Sequence, residues 1–174
     1  MNIAITGNRR ISETILYLLK RADERGVHNL SKFQIMKLLY LIEVEYRRYL
    51  GKGFFETPTF TRFDRGPILN EAYPIIDTLI SSGKVKLTIQ RNPGYGHDRH
   101  SHSLNNPDIK VSLRDGEKIF LNSIIDSYIE LTQAKLSKIA YSTEPMKKVL
   151  AKEKGGEISK EALDMGLVKK QSFG

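Results

Sequence analysis

The apolar residues of this chain recur with helical spacing most strongly between Ser31 and Leu50. Ser31 with Gln34 three residues later has the pattern of a capping box, and Gly51 is a natural helix end. The apolar positions between them cover most of the circumference of a helix: Ile35, Met36, Leu38, Leu39, Tyr40, Leu41, Ile42, Val44, Tyr46 and Tyr49. We therefore predict a buried central helix around which the rest of the chain packs.

The acidic residues of this helix are predicted to be structural. Glu43 and Glu45 lie two positions apart, which places them about 200° apart around a helix and prevents them from sharing a catalytic site. Arg47 and Arg48 follow at helical spacing, so we expect the pairs Glu43–Arg47 and Glu45–Arg48 to form salt bridges on a narrow solvated strip.

The segments on either side predict two more helices and a short strand. An amphipathic helix is expected from Ser12 to Arg25, with Ser12 as its cap. Alternating residues at 57–63 predict a strand, and an apolar stripe at 68–81 predicts a helix that Pro74 should kink or divide.

A hairpin and several helices are predicted in the second half. Residues 84–90 and 109–113 both alternate between apolar and polar, so we expect them to pair as antiparallel strands. Helical stripes follow from Asp115, with Ile119 among the inward residues, and then from Thr132 to Leu150. Ser159 is expected to cap a last short helix to Met165.

These elements predict an α+β, mainly α fold with a buried central helix and a small antiparallel sheet. The order of elements is close to that of a winged helix. We expect residues 1–174 to form a single domain, with residues 155–174 as a loosely held C-terminal tail.

The hexapeptide Arg62–Pro67 is the most informative turn. Gly66 allows unusual backbone angles and Pro67 suits the first position of a helix, so we predict a strand-to-helix turn that Asp64 caps. Exposed arginines on such a turn are good anchors for a protein partner. The residues predicted to bind the partner are Arg62, Asp64, Arg65, Gly66, Pro67, Tyr73, Arg91 and Arg99.

The composition favours a cytoplasmic protein with a partner of opposite charge. The net charge is +8, and it is spread thinly along the 174 residues. Because the chain has no cysteine, disulfides and thiolate chemistry are excluded. No stretch has the pattern of a signal peptide or a membrane span.

Residues 91–108 are rich in glycine, asparagine and histidine, and they are predicted to be an exposed hairpin tip. His97, His100 and His102 resemble a metal site by residue type. A glycine-rich loop holds ligands poorly in a converging arrangement, so we expect no bound metal.

No phosphate loop, GxGxxG, GxSxG or HExxH motif occurs in the chain. We therefore expect no enzymatic activity and no cofactor. The alternative suggested by the order of elements is a winged-helix DNA-binding regulator. The stretch 67–81, which would enter the groove, carries two acidic residues and no Lys or Arg, which disfavours nucleic acid.

Residues 37–79 resemble the Panacea domain, the family of SocA-like antitoxins. The features that carry the resemblance are Lys37-Leu38-Leu39-Tyr40 at the opening of the central helix and the strand that leads to Gly66-Pro67. The later segment Tyr141-Ser142-Thr143-Glu144-Pro145 is a weaker match, and the whole resemblance covers roughly residues 12–150.

The resemblance implies a mainly helical domain with a small antiparallel sheet. It also implies a non-enzymatic role in which the protein binds and neutralises a cognate protein toxin. Many relatives look like Tyr-Gly-Pro where this chain has Arg65-Gly66-Pro67, so an aromatic contact at residue 65 is not implied here.

Overall fold

A computed structural model describes residues 3–91, 96 and 98–172. In these residues six α-helices surround two separate two-stranded antiparallel sheets, which confirms the predicted α+β, mainly α class. The elements, in chain order, are α1 Ile3–Glu24, α2 Lys32–Leu50, β1 Phe60–Phe63, β2 Gly66–Leu69, α3 Ala72–Ser81, β3 Val85–Gln90, β4 Arg99–Leu104, α4 Asp115–Tyr128, α5 Gln133–Tyr141, α6 Glu144–Leu150 and a 3-10 turn at Met165–Leu167.

Helix α2 is the buried centre of the fold, as predicted. Ser31 and Gln34 form the capping box, and Gly51 ends the helix in the left-handed conformation. Ten consecutive residues from Ile35 to Val44 are buried, so the helix contacts the rest of the protein on every side along this length.

The predicted exposure of Glu43 is wrong, although its salt bridge with Arg47 is confirmed. Glu43 is fully buried, and its second carboxylate oxygen accepts hydrogen bonds from the backbone N–H groups of Phe54 (2.8 Å) and Phe55 (3.0 Å). The carboxylate thus satisfies backbone donors in the loop after α2. Glu45 pairs with Arg48 at 3.0 Å, as predicted.

Helix α1 begins at Ile3, not at Ser12. Ser12 therefore lies inside the helix and is not its cap. The apolar stripe of residues 12–25 marks a part of α1 that packs against the core. The helix itself extends further toward the N-terminus, to Ile3.

The hexapeptide 62–67 turns between two strands, which corrects the predicted strand-to-helix turn. Phe63 pairs with Gly66 and Arg62 pairs with Pro67, so Pro67 lies in β2 and Asp64 caps no helix. Pro67 has no N–H that could donate to β1. The strand tolerates it because Arg62, the residue opposite, donates its own N–H away from β2, to Glu161 O at 2.8 Å.

Helix α3 consequently starts at Ala72, four residues later than predicted. Pro74 falls in its first turn, where the backbone N–H would have no partner within the helix, so Pro74 does not divide the helix.

The second hairpin is also corrected. Strand β3 lies where predicted, but its partner is β4, with Leu87 opposite His102, and residues 109–113 form no strand. The alternation of that segment reflects one-sided packing: Leu113 is buried, while the N–H of Ser112 donates to Glu13.

The helices after Asp115 are close to those predicted. Thr132 caps α5 by accepting a hydrogen bond from Lys135 N, and Pro145 lies in the first turn of α6. Ile119 is wrongly predicted to face inward: it is 71% exposed, and Leu121 and Ile125 form the buried face of α4.

The last residues form a strap, by which we mean residues 157–171. The predicted helix from Ser159 to Met165 is absent, and the 3-10 turn stands at its end. Ala162 forms an antiparallel bridge with Thr61, and Leu163 N donates to Phe60 O at 2.8 Å. Leu163, Met165 and Val168 are buried, so the strap covers the outer edge of β1 and packs against the core.

None of the helices in the described residues combines the length and the apolar character that crossing a bilayer requires.

Candidate functional site

The β1–β2 hairpin is fixed to the protein by Lys37, a lysine in the otherwise apolar middle of α2. Its side chain is 1% exposed, and its amine donates to the carbonyl oxygen of Pro67 at 3.3 Å. The amine also lies 4.3 Å from the centre of the Phe33 ring, a cation–π distance.

Gly66 makes this close approach possible. Its φ of 106° is in the region that favours glycine, and a Cβ there would lie 2.8 Å from Lys37 Cε and 2.8 Å from Tyr141 Cε1. The backbone of β2 is therefore held between a side chain of α2 and a side chain of α5.

The environment of Lys37 disfavours its charged form. Burial, with a smaller effect from the nearby Arg62 guanidinium, lowers the pKa of Lys37 to about 7. No carboxylate forms an ion pair with it within the described residues.

Arg62 does not lie on the surface, which corrects its predicted exposure. It is 5% exposed, and its guanidinium makes a two-pronged ion pair with Glu153 at 3.0 and 3.2 Å. It also lies over the ring of Tyr141, 5.5 Å from the centroid. Burial opposes ionisation of Glu153, but hydrogen bonds from Ser159 and Arg62 outweigh it and lower its pKa.

The tip of the hairpin, residues Phe63–Arg65, is exposed. Phe63 retains 41% of its surface, a large value for an aromatic residue, and Lys160 of the strap lies 5.7 Å from its ring centroid. Asp64 and Arg65 are exposed as well. Large apolar groups with adjacent charges are typical of protein-binding surfaces.

A pocket of about 230 Å³ opens beside this tip, and we call it the hairpin pocket. Burial raises the pKa of Tyr73, whose ring lies 5.1 Å from the amine of Lys32. The pocket is lined by Lys32, Phe33, Met36, Lys37, Phe63, Asp64, Arg65, Ile68 and Tyr73.

The structure brings together only part of the predicted partner-binding set. Asp64, Arg65 and Tyr73 line the pocket, whereas Arg62, Gly66 and Pro67 are buried behind it. Arg91 and Arg99 are exposed on the second hairpin and do not line the pocket. Their role in partner binding remains a prediction.

Sequence reasoning missed the residues that α2 contributes to the pocket: Lys32, Phe33, Met36 and Lys37. One signal was present, because Lys37 interrupts the apolar face of a helix predicted to be buried. A lysine at such a position must pair, lose its proton or line a cavity.

The predicted histidine loop is in part a strand. His102 is buried in β4, where its Nδ1 lies 3.1 Å from the carbonyl oxygen of Leu30, and burial lowers its pKa. His100 is exposed, and His97 lies outside the described residues. Among the residues that are described, no three His, Asp or Glu side chains are arranged to hold a metal ion.

A second concave surface, also missed, lies between the end of α2 and the start of α4. This groove measures about 650 Å³, and its exposed apolar side chains are Tyr49, Leu50 and Ile119. Ile119 lies outside the buried face of α4, which is formed by Leu121 and Ile125.

The exposed residues of α3 do not support the alternative in which this helix binds DNA. The exposed side of this helix presents Pro74, Asp77 and Thr78, and Asp77 is paired with Lys32 at 3.7 Å. The cations of the second hairpin, Lys84 and Lys86, are exposed but lie outside α3.

The residues that carry the family resemblance meet in space. Lys37 of α2 contacts Pro67, Tyr141 of α5 closes over Gly66, and the hydroxyl of Tyr40 lies 2.6 Å from that of Thr143. Segments distant in sequence thus form one support for an exposed hairpin. Fold and site together define a mainly helical protein in which the exposed tip of a hairpin stands on a buried support.

The family model described as antitoxin SocA-like, Panacea domain, matches residues 35–145. The chain therefore belongs to the SocA-like antitoxin family, and the match contains both hairpins, most of α2, and helices α3, α4 and α5. No curated protein and no solved structure matches the chain.

Proposed function

We propose that this protein is an antitoxin that neutralises a cognate protein toxin by binding it directly in the cytoplasm. The role is non-enzymatic and needs no cofactor. The binding surface is the tip of the β1–β2 hairpin with the adjacent hairpin pocket.

The family match carries this proposal, because it assigns the chain to antitoxins and spans the exposed hairpin tip. The hairpin supports direct binding because its tip is exposed while its base is immobilised by Lys37 and by the Arg62–Glu153 ion pair. A preorganised surface loses little conformational entropy on binding. Occlusion of the toxin's active face by such a surface would be sufficient for neutralisation.

The experiment is growth rescue in a bacterial host. Each reading frame next to the gene is expressed from an inducible promoter, with and without this protein. We expect one product to arrest growth, this protein to restore it, and the two to copurify in fixed stoichiometry. Absence of any toxic neighbouring product, or rescue without a complex, would contradict direct neutralisation.

The surface is tested by paired variants. Phe63→Ser with Arg65→Glu alters the exposed tip and should abolish rescue while the circular dichroism spectrum is unchanged. Ile89→Ser with Lys86→Glu makes the same chemical change at exposed positions of the second hairpin and should rescue like the unchanged protein. Equal rescue by both variants would exclude the first hairpin as the toxin-binding surface.

A further inference from the structure

The charged groups around the hairpin pocket are predominantly positive. Arg65 and Lys160 are exposed, and neither forms an ion pair within the residues that the structure describes. Lys32 pairs with Asp77, which does not line the pocket. Asp64 is the one carboxylate among the described residues that line it.

The interior of the pocket is apolar, and its size suits one side chain. Its walls include Phe33, Met36, Ile68 and Tyr73, and its volume of about 230 Å³ is below the roughly 300–1,000 Å³ of pockets for drug-sized ligands. A single large apolar side chain of a protein partner is therefore a better match than a cofactor.

We infer that the hairpin pocket binds an apolar side chain that is flanked by acidic residues in an exposed segment of the partner. This inference rests on the proposed function, and it names the chemistry of the toxin segment that the antitoxin recognises. The apolar side chain occupies the pocket, while the flanking carboxylates contact Arg65 and Lys160 at its rim.

Charge complementarity supports this occupant. An acidic segment places carboxylates next to Arg65 and Lys160, which have no ion-pair partner in the described residues. These two cations would repel a basic segment. Nucleic acid also supplies negative charge, but phosphates do not fill an apolar pocket.

The inference is tested by NMR on the full-length 15N-labelled protein with two synthetic peptides of equal length. The probe is acetyl-Glu-Asp-Leu-Phe-Asp-Glu-amide, and the comparison peptide has Lys or Arg at the four acidic positions. We expect only the acidic peptide to shift the amide signals of Phe33, Met36 and residues 63–65.

Charge-reversal variants locate the contact. Arg65→Glu with Lys160→Glu should weaken binding of the acidic peptide by about tenfold, because two favourable charge contacts become repulsive. Lys84→Glu with Lys86→Glu changes the net charge equally, from +8 to 8 − 4 = +4, at two exposed positions, one just before β3 and one within it. This matched variant should bind the acidic peptide within about twofold of the unchanged protein, since it acts only through screened long-range charge.

Three results would overturn the inference: no shifts in the pocket, equal shifts with the basic peptide, or equal weakening in both variants. The same pocket shifts with a single-stranded oligonucleotide would also overturn it and favour nucleic acid. The growth assay does not use the peptides, so the two hypotheses fail separately. If Arg65→Glu with Lys160→Glu still rescues growth fully, the inference is wrong while the proposed function stands.

Discussion

The amine of Lys37 lies 3.3 Å from the carbonyl oxygen of Pro67, which joins the central helix to the second strand of the exposed hairpin. Lys37 is buried, and its pKa is lowered to about 7, so its position has an energetic cost that depends on pH. The contact fixes the geometry of the hairpin, and it makes part of the stability of this region sensitive to protonation.

Replacing Lys37 by methionine should stabilise the protein more at pH 6 than at pH 9. In the unfolded chain Lys37 keeps its proton up to its ordinary pKa of 10.5, whereas the folded chain releases it near pH 7. Between these values the unfolded state binds more protons, so the free energy of unfolding of the unchanged protein rises with pH. The gain from Lys37→Met should shrink by about 3 kcal/mol from pH 6 to pH 9.

Urea unfolding at both pH values measures this difference. Lys84→Met, at an exposed lysine, is the control and should give the same small change at each pH. A gain from Lys37→Met that is independent of pH would show that Lys37 titrates normally in the folded protein.

Gly66→Ala should destabilise the protein by about 2 kcal/mol or more, because it combines an unfavourable φ with overlap of the new Cβ with Lys37 and Tyr141. Gly83 has a φ of 70°, which L residues adopt at lower cost, and open space around it, so Gly83→Ala should cost only about 1 kcal/mol. Thermal unfolding of both variants compares the crowded, strained position with the open one. Equal losses would show that Lys37 and Tyr141 move aside.

Arg62→Met should cost roughly 2–4 kcal/mol, because it leaves the carboxylate of Glu153, 13% exposed, without its ion-pair partner. Arg65→Met, at an exposed position of the same turn, should change stability by less than about 0.5 kcal/mol. Denaturant unfolding of Arg62→Met, Glu153→Gln and the double variant gives the coupling energy. A coupling near zero would mean that the ion pair contributes no stability.

Ending the chain at Lys154 should lower the melting temperature and promote self-association. The truncation removes the buried Leu163, Met165 and Val168 and exposes the backbone groups of Phe60 and Arg62 along the edge of β1. Differential scanning calorimetry and sedimentation velocity measure the two effects. A chain ending at Gln171 keeps every contact of the strap described above and should match the 174-residue chain.

Duplex DNA should not bind with appreciable affinity at low salt. The exposed side of α3 offers Asp77 and no Lys or Arg, so it would be repelled by phosphates. Electrophoretic mobility shift at 50 mM salt tests this expectation. A shift that weakens steeply with added salt, and that Lys84→Glu with Lys86→Glu abolishes, would instead favour the winged-helix alternative.

Local signals in the sequence were sufficient for the central helix. The capping box at Ser31 and Gln34 and the end at Gly51 depend on neighbouring residues, and all are found where predicted. The start of α1 and the partner of β3 depend on distant packing, which periodicity does not contain. The alternation at residues 109–113 correctly predicted that one side of this segment is buried. It did not identify the part of the protein that the buried side packs against.

In the candidate site, too, the features set by neighbouring residues were predictable and those set by distant residues were not. The turn at residues 62–67 was recognisable because glycine and proline restrict the backbone, yet the burial of Arg62 follows from Glu153, which lies 91 positions later. The contribution of Phe33 and Lys37 follows from the way β2 packs on α2. Such long-range pairings are invisible in a single sequence.

The bridge between Thr61 and Ala162 spans about a hundred positions of the chain. During synthesis, β1 is therefore made long before the residues that cover it, and its edge stays available for hydrogen bonding in the meantime. Until the strap has been made, any neighbouring extended segment would compete with it for the same backbone groups.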